Sequence, residues 1–245
     1  MVDIVAAGWD APDHVRACTT LRGGGVSRGP YEALNLAMHV ADDPRAVEEN
    51  RRRLRAALAL PAEPLWLRQV HGTDIVDAAA MRPGAIADGS VATGPGAVCA
   101  VLTADCLPLF LCRRDGRQVG VFHLGWRGLA AGMVEAAVAS FETPAKSLLA
   151  WLGPAIGPGA FEVGAEVRQA LSGPGTDGCF EPSLRRGRYL ADLYQLTLRR
   201  LRATGVNDCS CDPSLCTFSQ PVSFYSYRRQ SVCGRMASLI WMQAA

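Results

Sequence analysis

The sequence predicts a mixed α/β fold, either α+β or a layered α/β sandwich, on three observations. Short apolar or alternating runs recur along the chain and segments of helical period fall between them. The two kinds do not follow one another in regular βαβ units, which argues against a doubly wound Rossmann sheet. Hydrophobic residues make up 49% of the 245 positions and charged ones 20%, enough apolar material for a sizeable core. No internal repeat or low-complexity linker divides the chain, and its length alone fixes no domain count.

Residues 15–22 read as a strand, followed by the glycine loop from Arg22 to Pro30. Asp43 stands where it would cap a helix opening with Pro44 and running to about Leu60, where Pro61 and Pro64 stop it. Strand-like segments follow at 65–70, 74–77, 98–103 and 107–112. Arg114-Asp115-Gly116 makes a hairpin turn leading into 119–122, because Asp-Gly between apolar runs is a strong turn signal. The period becomes helical from Leu129 to Val138 and returns to a strand at 147–151. Helices are expected at 162–172 and 189–204, and strands at 222–227 and 235–241.

Composition excludes several classes of function. The stretch Met1–Asp10 lacks the basic start and apolar core of a secretory signal, and no apolar run is long enough to span a bilayer. The expectation is a soluble cytoplasmic protein with no membrane partner. A formal charge of +2, with dense basic spots only at Arg51–Arg53 and Arg185–Arg186, points to solvated faces and no nucleic-acid partner. Nine cysteines, an odd number, read as reduced thiols, most of them small buried hydrophobes. Cys209, Cys211 and Cys216 lie close together in sequence but match no C-x2-C zinc spacing. Nothing in the sequence fixes an oligomeric state.

The candidate chemistry rests on few residues. The chain holds four histidines, His14, His39, His71 and His123. His71 and His123 lie at expected strand ends with a glycine directly after (Gly72) or two residues on (Gly125), where backbone can approach a ligand. Between them runs Thr103-Ala104-Asp105-Cys106, a carboxylate and a thiol in an apolar stretch where an unpaired charge is costly. One thiol and two imidazoles suit either a zinc site with an open position or a thiol nucleophile with its base. Residue types alone leave both readings open.

Around this group, Arg127 follows His123-Leu124-Gly125-Trp126 at the start of the expected helix. Free N–H groups there, with Arg127 beside them, attract an anion such as phosphate. Arg68 is the weaker candidate, since a regular strand sends residues 68 and 71 to opposite faces. Asp105 is the nearer candidate for moving a proton and Asp88 the other, although Ala87-Asp88-Gly89 reads locally as a turn. Strand alternation turns Asp105 away from Cys106 unless the strand ends there. Arg228, within Tyr225-Ser226-Tyr227-Arg228-Arg229, is placed to lie over a base or on a solvated edge.

Taken together, these segments resemble the YfiH family, also called laccase-domain or peptidoglycan-editing-factor proteins. The resemblance is carried by Thr20–Ser27, Asn35-Leu36, His39–Pro44, Asn50-Arg51, Gln69–Gly72 and Ala87–Gly89. It continues through Thr103–Pro108, His123–Gly128, Gly153–Pro158, Cys216-Thr217, Phe224–Arg229 and Gly234-Arg235, spanning about 19–241. Leu124 stands where the family usually has alanine and Gln230 where aspartate is common. The resemblance implies a single domain over 1–245, a layered sandwich distantly similar to cysteine-based toxin deamidases. It implies a zinc ion on His71, Cys106 and His123. It also implies phosphorolysis of adenosine, inosine, guanosine or methylthioadenosine, and hydrolytic deamination of adenosine, with a purine nucleoside and phosphate as small-molecule partners. Other members are described as copper polyphenol oxidases or as amidases removing wrongly added serine from muramyl precursors. Multicopper chemistry needs far more imidazole than four histidines supply, so copper enters this reading only as an adventitious occupant.

Overall fold

The computed structural model describes residues 1–244. Strands β1 (Ile4–Ala6) and β2 (Val15–Thr20) precede helix α1 (Pro44–Ala57). Next come β3 (Ile75–Asp77), β4 (Gly89–Ala92), β5 (Val98–Thr103), β6 (Leu107–Arg113) and β7 (Val119–Leu124). Helices α2 (Trp126–Ala131) and α3 (Met133–Ala139) lead into β8 (Leu148–Leu152), β9 (Glu162–Gly164) and α4 (Ala165–Leu171). The chain closes with β10 (Phe180–Pro182), β11 (Arg188–Ala191), α5 (Leu193–Ala203), β12 (Asp208–Cys211) and β13 (Met236–Met242).

Two large sheets pack face to face. One has the order β1-β2-β13-β5 and the other β12-β8-β6-β7-β4-β3, while β10-β11-β9 form a small third sheet. The period-2 alternation of strands assigns each side chain to a layer. In β6 and β7, Phe110, Cys112, Val119 and Val121 point between the sheets, meeting Cys99, Val101 and Ile240. The alternate residues Leu107, Leu109, Leu111, Phe122 and Leu124 face the helical layer, against Leu129, Met133 and Leu196. On the outer face of the other sheet, Val98, Ala100, Leu102 and Leu239 pack under Leu54 of α1 and Leu34 and Leu36. The result is a helix–sheet–sheet–helix sandwich, the mixed layered architecture expected from the sequence. Buried on both faces, β5, β6, β7 and β13 read as nearly continuous apolar runs.

Several segments depart from expectation, each for a local reason. Residues 65–70 make only isolated bridges, Leu65 to Cys99 and Arg68 to Ile86. There the Gln69 side chain pairs with both backbone groups of Leu102, at 2.9 and 2.7 Å, in place of a strand ladder. The helical run after His123 is broken at Gly132, whose φ of 99° closes α2 and opens α3. Residues 162–164 and 188–191 are strands before their helices begin, because they pair with one another in the third sheet. Asp192, inside the expected helix 189–204, is instead its N-cap and accepts from Gln195 N at 2.9 Å. Residues 222–227 form turns, held by the Arg229 guanidinium on the carbonyls of Thr217, Phe218 and Phe224. Strands β1, β4, β10 and β12, of only 3 or 4 residues, were not expected; they exist by pairing.

Helix α1 starts as expected, with Asp43 accepting from Arg45 N at 2.9 Å and Pro44 first. It ends short of Leu60 because Ala59 turns left-handed, with φ of 47°. The bonds Leu60 N to Arg55 O (3.1 Å) and Ala59 N to Ala56 O (3.3 Å) close a Schellman motif around it. Glycine is the usual residue at that position, and alanine there is strained by about 1 kcal/mol. Ala59→Gly is therefore expected to stabilise the protein by up to about 1 kcal/mol, read as a higher midpoint in urea unfolding with an unchanged slope.

Candidate metal centre and its cavity

The site lies at one end of the sandwich, where β5 hands the chain to β6. His123 shares the parity of Val119 and Val121 on β7, so its ring points into the layer between the sheets. β5 ends at Thr103, and the bend that follows carries Asp105 at φ of 92°, which delivers Cys106 just ahead of β6. His71 arrives from the loop after Gln69, at φ of 59°. The donor atoms of His71, Cys106 and His123 all lie within 4.8 Å of one another, and the two imidazole centroids are 4.7 Å apart.

One carboxylate organises this cluster. Asp88, fully buried just before β4, accepts from the backbone N–H groups of Val70 (3.0 Å), His71 (2.9 Å) and Gly72 (2.8 Å). Its Oδ1 also meets His123 Nδ1 at 2.8 Å. Its own backbone joins Asp74 O (2.9 Å) and His123 N (2.7 Å). Three converging N–H groups explain why residue 71 adopts a left-handed conformation without being glycine. Burial alone would raise the Asp88 carboxyl, yet the donors from His123, Gly72 and Val70 hold it below the usual carboxylate range. Burial pulls His123 down, but the Cys106 sulfur and the Asp88 carboxylate outweigh it and carry the imidazole up to about 9. Burial and the neighbouring charges of His123 and Arg127 hold His71 low.

The donor set fits a zinc ion. Two imidazoles and a thiol are zinc ligands, at bond lengths of about 2.0–2.3 Å, and the 4.8 Å spread gathers them round one centre. The carboxylate on the far nitrogen of His123 is the partner that ligating histidines ordinarily have. Gly125 leaves the necessary space, since a Cβ there would collide with His71 Nδ1 and crowd Cys106 Sγ at 3.3 Å. Among the described residues this is the one cluster of three such donors. Cys209, Cys211 and Cys216 form no comparable group, and all nine cysteines are free thiols.

The cluster opens into a cavity of about 630 Å³. Arg68, Arg127, Arg228 and Asp105 all line it, so the structure gathers every site residue expected from the sequence except Asp88, which lies behind His71 and His123. Arg68 shares the cavity with His71 because residues 65–71 are not a regular strand, and the alternation argument does not apply. Asp105 faces inward, but both its oxygens are engaged: Thr217 Oγ1 donates at 2.7 Å and Arg228 N at 2.6 Å. Its carboxylate ties the 226–229 turn to the bend that presents Cys106. The helix behind Arg127 has 6 residues, too few for a strong terminal dipole, so the positive charge there is that of the guanidinium, which stacks 4.4 Å over Trp126. Sequence reasoning missed the wall residues His39, Gln69, Phe161, Tyr227 and Arg235, although His39 and Arg235 stand in segments that carried the family resemblance.

The basic run at 51–53 is accounted for within the fold. Arg52 and Arg53 pair with Glu49 at 2.7 and 2.8 Å, and Arg51 stacks 4.1 Å over Trp66. No helix among the described residues is long and apolar enough to cross a membrane.

Replacing Asp88 tests this organisation. Asp88→Asn keeps the shape but turns one acceptor into a donor facing N–H groups. Zinc affinity is expected to fall about 10- to 100-fold, measured by chelator competition. Stability should fall with it by roughly 3–5 kcal/mol, as for a broken buried ion pair.

Comparison with known proteins places the chain in a family. The family model described as multi-copper polyphenol oxidoreductase laccase matches residues 16–243. A protein of Pseudomonas aeruginosa named purine nucleoside phosphorylase is 52% identical over 237 residues, 96% of each chain. The Escherichia coli purine nucleoside phosphorylase YfiH is 47% identical over 244 residues, covering 99% of this chain and 100% of that one. Among solved structures, a Neisseria meningitidis protein of family model DUF152 superposes with a TM-score of 0.93 at 42% identity, over 98% of this chain and 99% of that one. Bacillus licheniformis hypothetical protein YfiH gives a TM-score of 0.87 at 26% identity, over 94% and 93% of the two chains. Sequence likeness over nearly the whole length, together with the shared fold, establishes that the chain belongs to the YfiH family, whose family model carries the laccase description.

Proposed function

We propose that the chain is a zinc-dependent purine nucleoside enzyme. In this reading it cleaves adenosine, inosine, guanosine or methylthioadenosine with phosphate, and hydrolytically deaminates adenosine. The observation that carries the reading is a conjunction. Relatives at 52% and 47% identity are named purine nucleoside phosphorylases, and the His–Cys–His cluster shares one cavity with Arg127.

His71, Cys106 and His123 would hold the ion, Cys106 as thiolate and both histidines as neutral imidazoles. Zinc held by three protein ligands supplies Lewis acidity and lowers the pKa of water to about 7. Asp88 keeps the proton of His123 on Nδ1, so that Nε2 remains the donor atom. In phosphorolysis, a phosphate oxygen bonds to the sugar C1′ as the glycosidic bond breaks and the purine leaves with the electron pair and takes up a proton. In this reading Arg127, which lines the cavity, holds that phosphate by two parallel hydrogen bonds. Trp126, Phe161 and Tyr227 line the same cavity as apolar rings against which the base would pack. In deamination, the oxygen of water adds to the purine carbon bearing the amino group, which departs as ammonia. Asp105, with both oxygens engaged, positions Cys106 and the Arg228 turn in this scheme.

The laccase chemistry in the family's description does not follow from these residues. His14 is bonded to Gly116 O at 3.2 Å, apart from the cavity, leaving at most three histidines near it. A trinuclear copper cluster with a separate electron-transfer copper needs more imidazole than that. Copper bound at His71, Cys106 and His123 would be adventitious.

Protein purified without added metal should contain close to one zinc per chain by elemental analysis, and Cys106→Ala and His123→Ala should lose it. Chelation should abolish adenosine deamination and reduce phosphorolysis less. Free hypoxanthine should appear from inosine only when phosphate is present. Full-rate deamination by metal-free protein would move the chemistry to Cys106 as a nucleophile. Cleavage of a muramyl-linked serine, with nucleosides untouched, would replace the reading by a precursor-editing amidase. Arg127→Ala should raise the phosphate KM about tenfold or more while leaving zinc content as it was.

A further inference from the structure

Both reactions of the nucleoside reading move a proton from the nucleophile to the leaving group. In phosphorolysis, hydrogen phosphate gives up its proton as its oxygen bonds to C1′. The purine, leaving with the electron pair of the glycosidic bond, gains a proton on a ring nitrogen. In deamination, the oxygen of water bonds to the ring carbon. One proton of that water departs with the amino group as ammonia, and the other ends on a ring nitrogen of the product.

The cavity wall leaves few groups able to carry that proton. His71, Cys106 and His123 are committed to the ion in this reading. Asp105 has both oxygens engaged, by Thr217 Oγ1 and Arg228 N. Arg68, Arg127, Arg228 and Arg235 do not give up protons in a protein. A phenol parts with its proton too reluctantly for relay at neutral pH, which sets Tyr227 aside. His39 remains. It is an exposed residue of the cavity wall, and among the described residues neither of its ring nitrogens has a hydrogen-bond partner. His14 and His123 each have one.

The segment that carries His39 is fixed by two fully buried amides. Asn50 of α1 donates to Ser27 Oγ (2.8 Å), Ala33 O (3.2 Å) and Asn35 O (2.9 Å) and accepts from Val26 N at 2.8 Å. Asn35 donates to Ala37 O (3.2 Å) and Asp42 Oδ2 (2.9 Å) and accepts from Ala37 N and Arg235 N, both at 3.0 Å. Arg235 directly precedes Met236, which pairs with Thr103, three residues before Cys106. The loop of His39 is therefore anchored beside the bend that presents Cys106. Its hydrogen bonds hold the backbone and leave the imidazole free.

The surrounding charges keep that ring neutral. Partial burial, Arg235 ahead of β13 and Arg51 of α1 hold His39 below its ordinary value. On its own segment, Asp42 is taken up by Ser27 Oγ (2.6 Å) and Asn35, and Asp43 caps α1. The other charged groups of the wall are Arg68, Arg127, Arg228 and Asp105. A neutral imidazole has one acceptor nitrogen and one N–H, so it can take a proton on one side and release one on the other.

Resting on the purine nucleoside reading, we propose that His39 is a catalytic residue, the relay that carries the proton from nucleophile to leaving nitrogen. The bare ring nitrogen takes the proton as the O–H bond of hydrogen phosphate or water breaks. The N–H on the opposite side of the ring gives its proton to the purine or the amino group, and the ring begins and ends neutral.

Hypoxanthine release from inosine by the zinc-loaded protein, at saturating phosphate, tests this with His39→Gln and His39→Ala. In both, kcat should fall roughly 100-fold, with zinc content and the KM for phosphate at wild-type values. Imidazole added to the buffer should restore rate to His39→Ala, which lacks the ring, and little to His39→Gln. Wild-type kcat/KM should fall toward acid pH as His39 takes up a proton. Arg235→Gln removes a positive neighbour, so in the same buffers it should move that fall to higher pH. An unchanged kcat in His39→Gln, with inosine still cleaved, would overturn the relay and keep the nucleoside reading. A loss of rate matched by lost zinc or a raised phosphate KM, without rescue by imidazole, would make His39 structural and overturn the relay as well. Wild-type protein that releases no hypoxanthine in the presence of phosphate would remove the nucleoside reading and the relay with it.

Discussion

The buried carboxylate of Asp88 is the interaction on which the site depends. It takes no place in the cavity wall, yet it collects the N–H groups of three successive residues and the Nδ1 of His123. A charge buried this deeply is tolerable only when its hydrogen-bonding capacity is met, and here every donor it accepts from belongs to His71, to the residues on either side of it, or to His123. The same contacts that stabilise the charge therefore set the path of the 70–72 loop and the tautomer of His123. Loss of either would leave an uncompensated charge between the sheets.

Asp105 plays the corresponding part on the other side. Its left-handed backbone turns the chain sharply between β5 and β6, and its carboxylate secures the turn bearing Arg228. Two strained residues, His71 and Asp105, thus flank the cluster, each held by hydrogen bonds that a less constrained backbone could not make. The sandwich supplies the rigidity behind them. β6 and β7 are buried on both faces, so His123 projects from, and Cys106 directly precedes, elements that cannot shift without opening the core.

The cavity formed at this end of the sandwich has a divided character. Trp126, Phe161 and Tyr227 line it together with Arg68, Arg127, Arg228 and Arg235, and the His71–Cys106–His123 cluster opens into it. Apolar rings among guanidinium groups make a wall suited to a planar ligand that carries negative charge. It has little in common with the imidazole-rich surroundings of a multicopper centre.

The sequence by itself determined the period of each long element, and through it the layers: alternate residues of β6 and β7 could only face the helices or the opposite sheet. It also exposed His71, Cys106 and His123, because scarce histidines beside glycine, and a thiol beside a charge in an apolar run, are costly unless used. Only the tertiary structure decided what these residues meet. Asp88 looked like one corner of a turn, since nothing local shows that its acceptors face residues 70–72 and His123. Arg68 and His71 share a wall because long-range pairing through Gln69 replaces a strand there. Short strands such as β4 and β12 are created by their partners, and Arg235 enters the cavity through β13's register against β5. Periodicity is a property of neighbours along the chain, whereas convergence of donors and charges is a property of sheet register and packing.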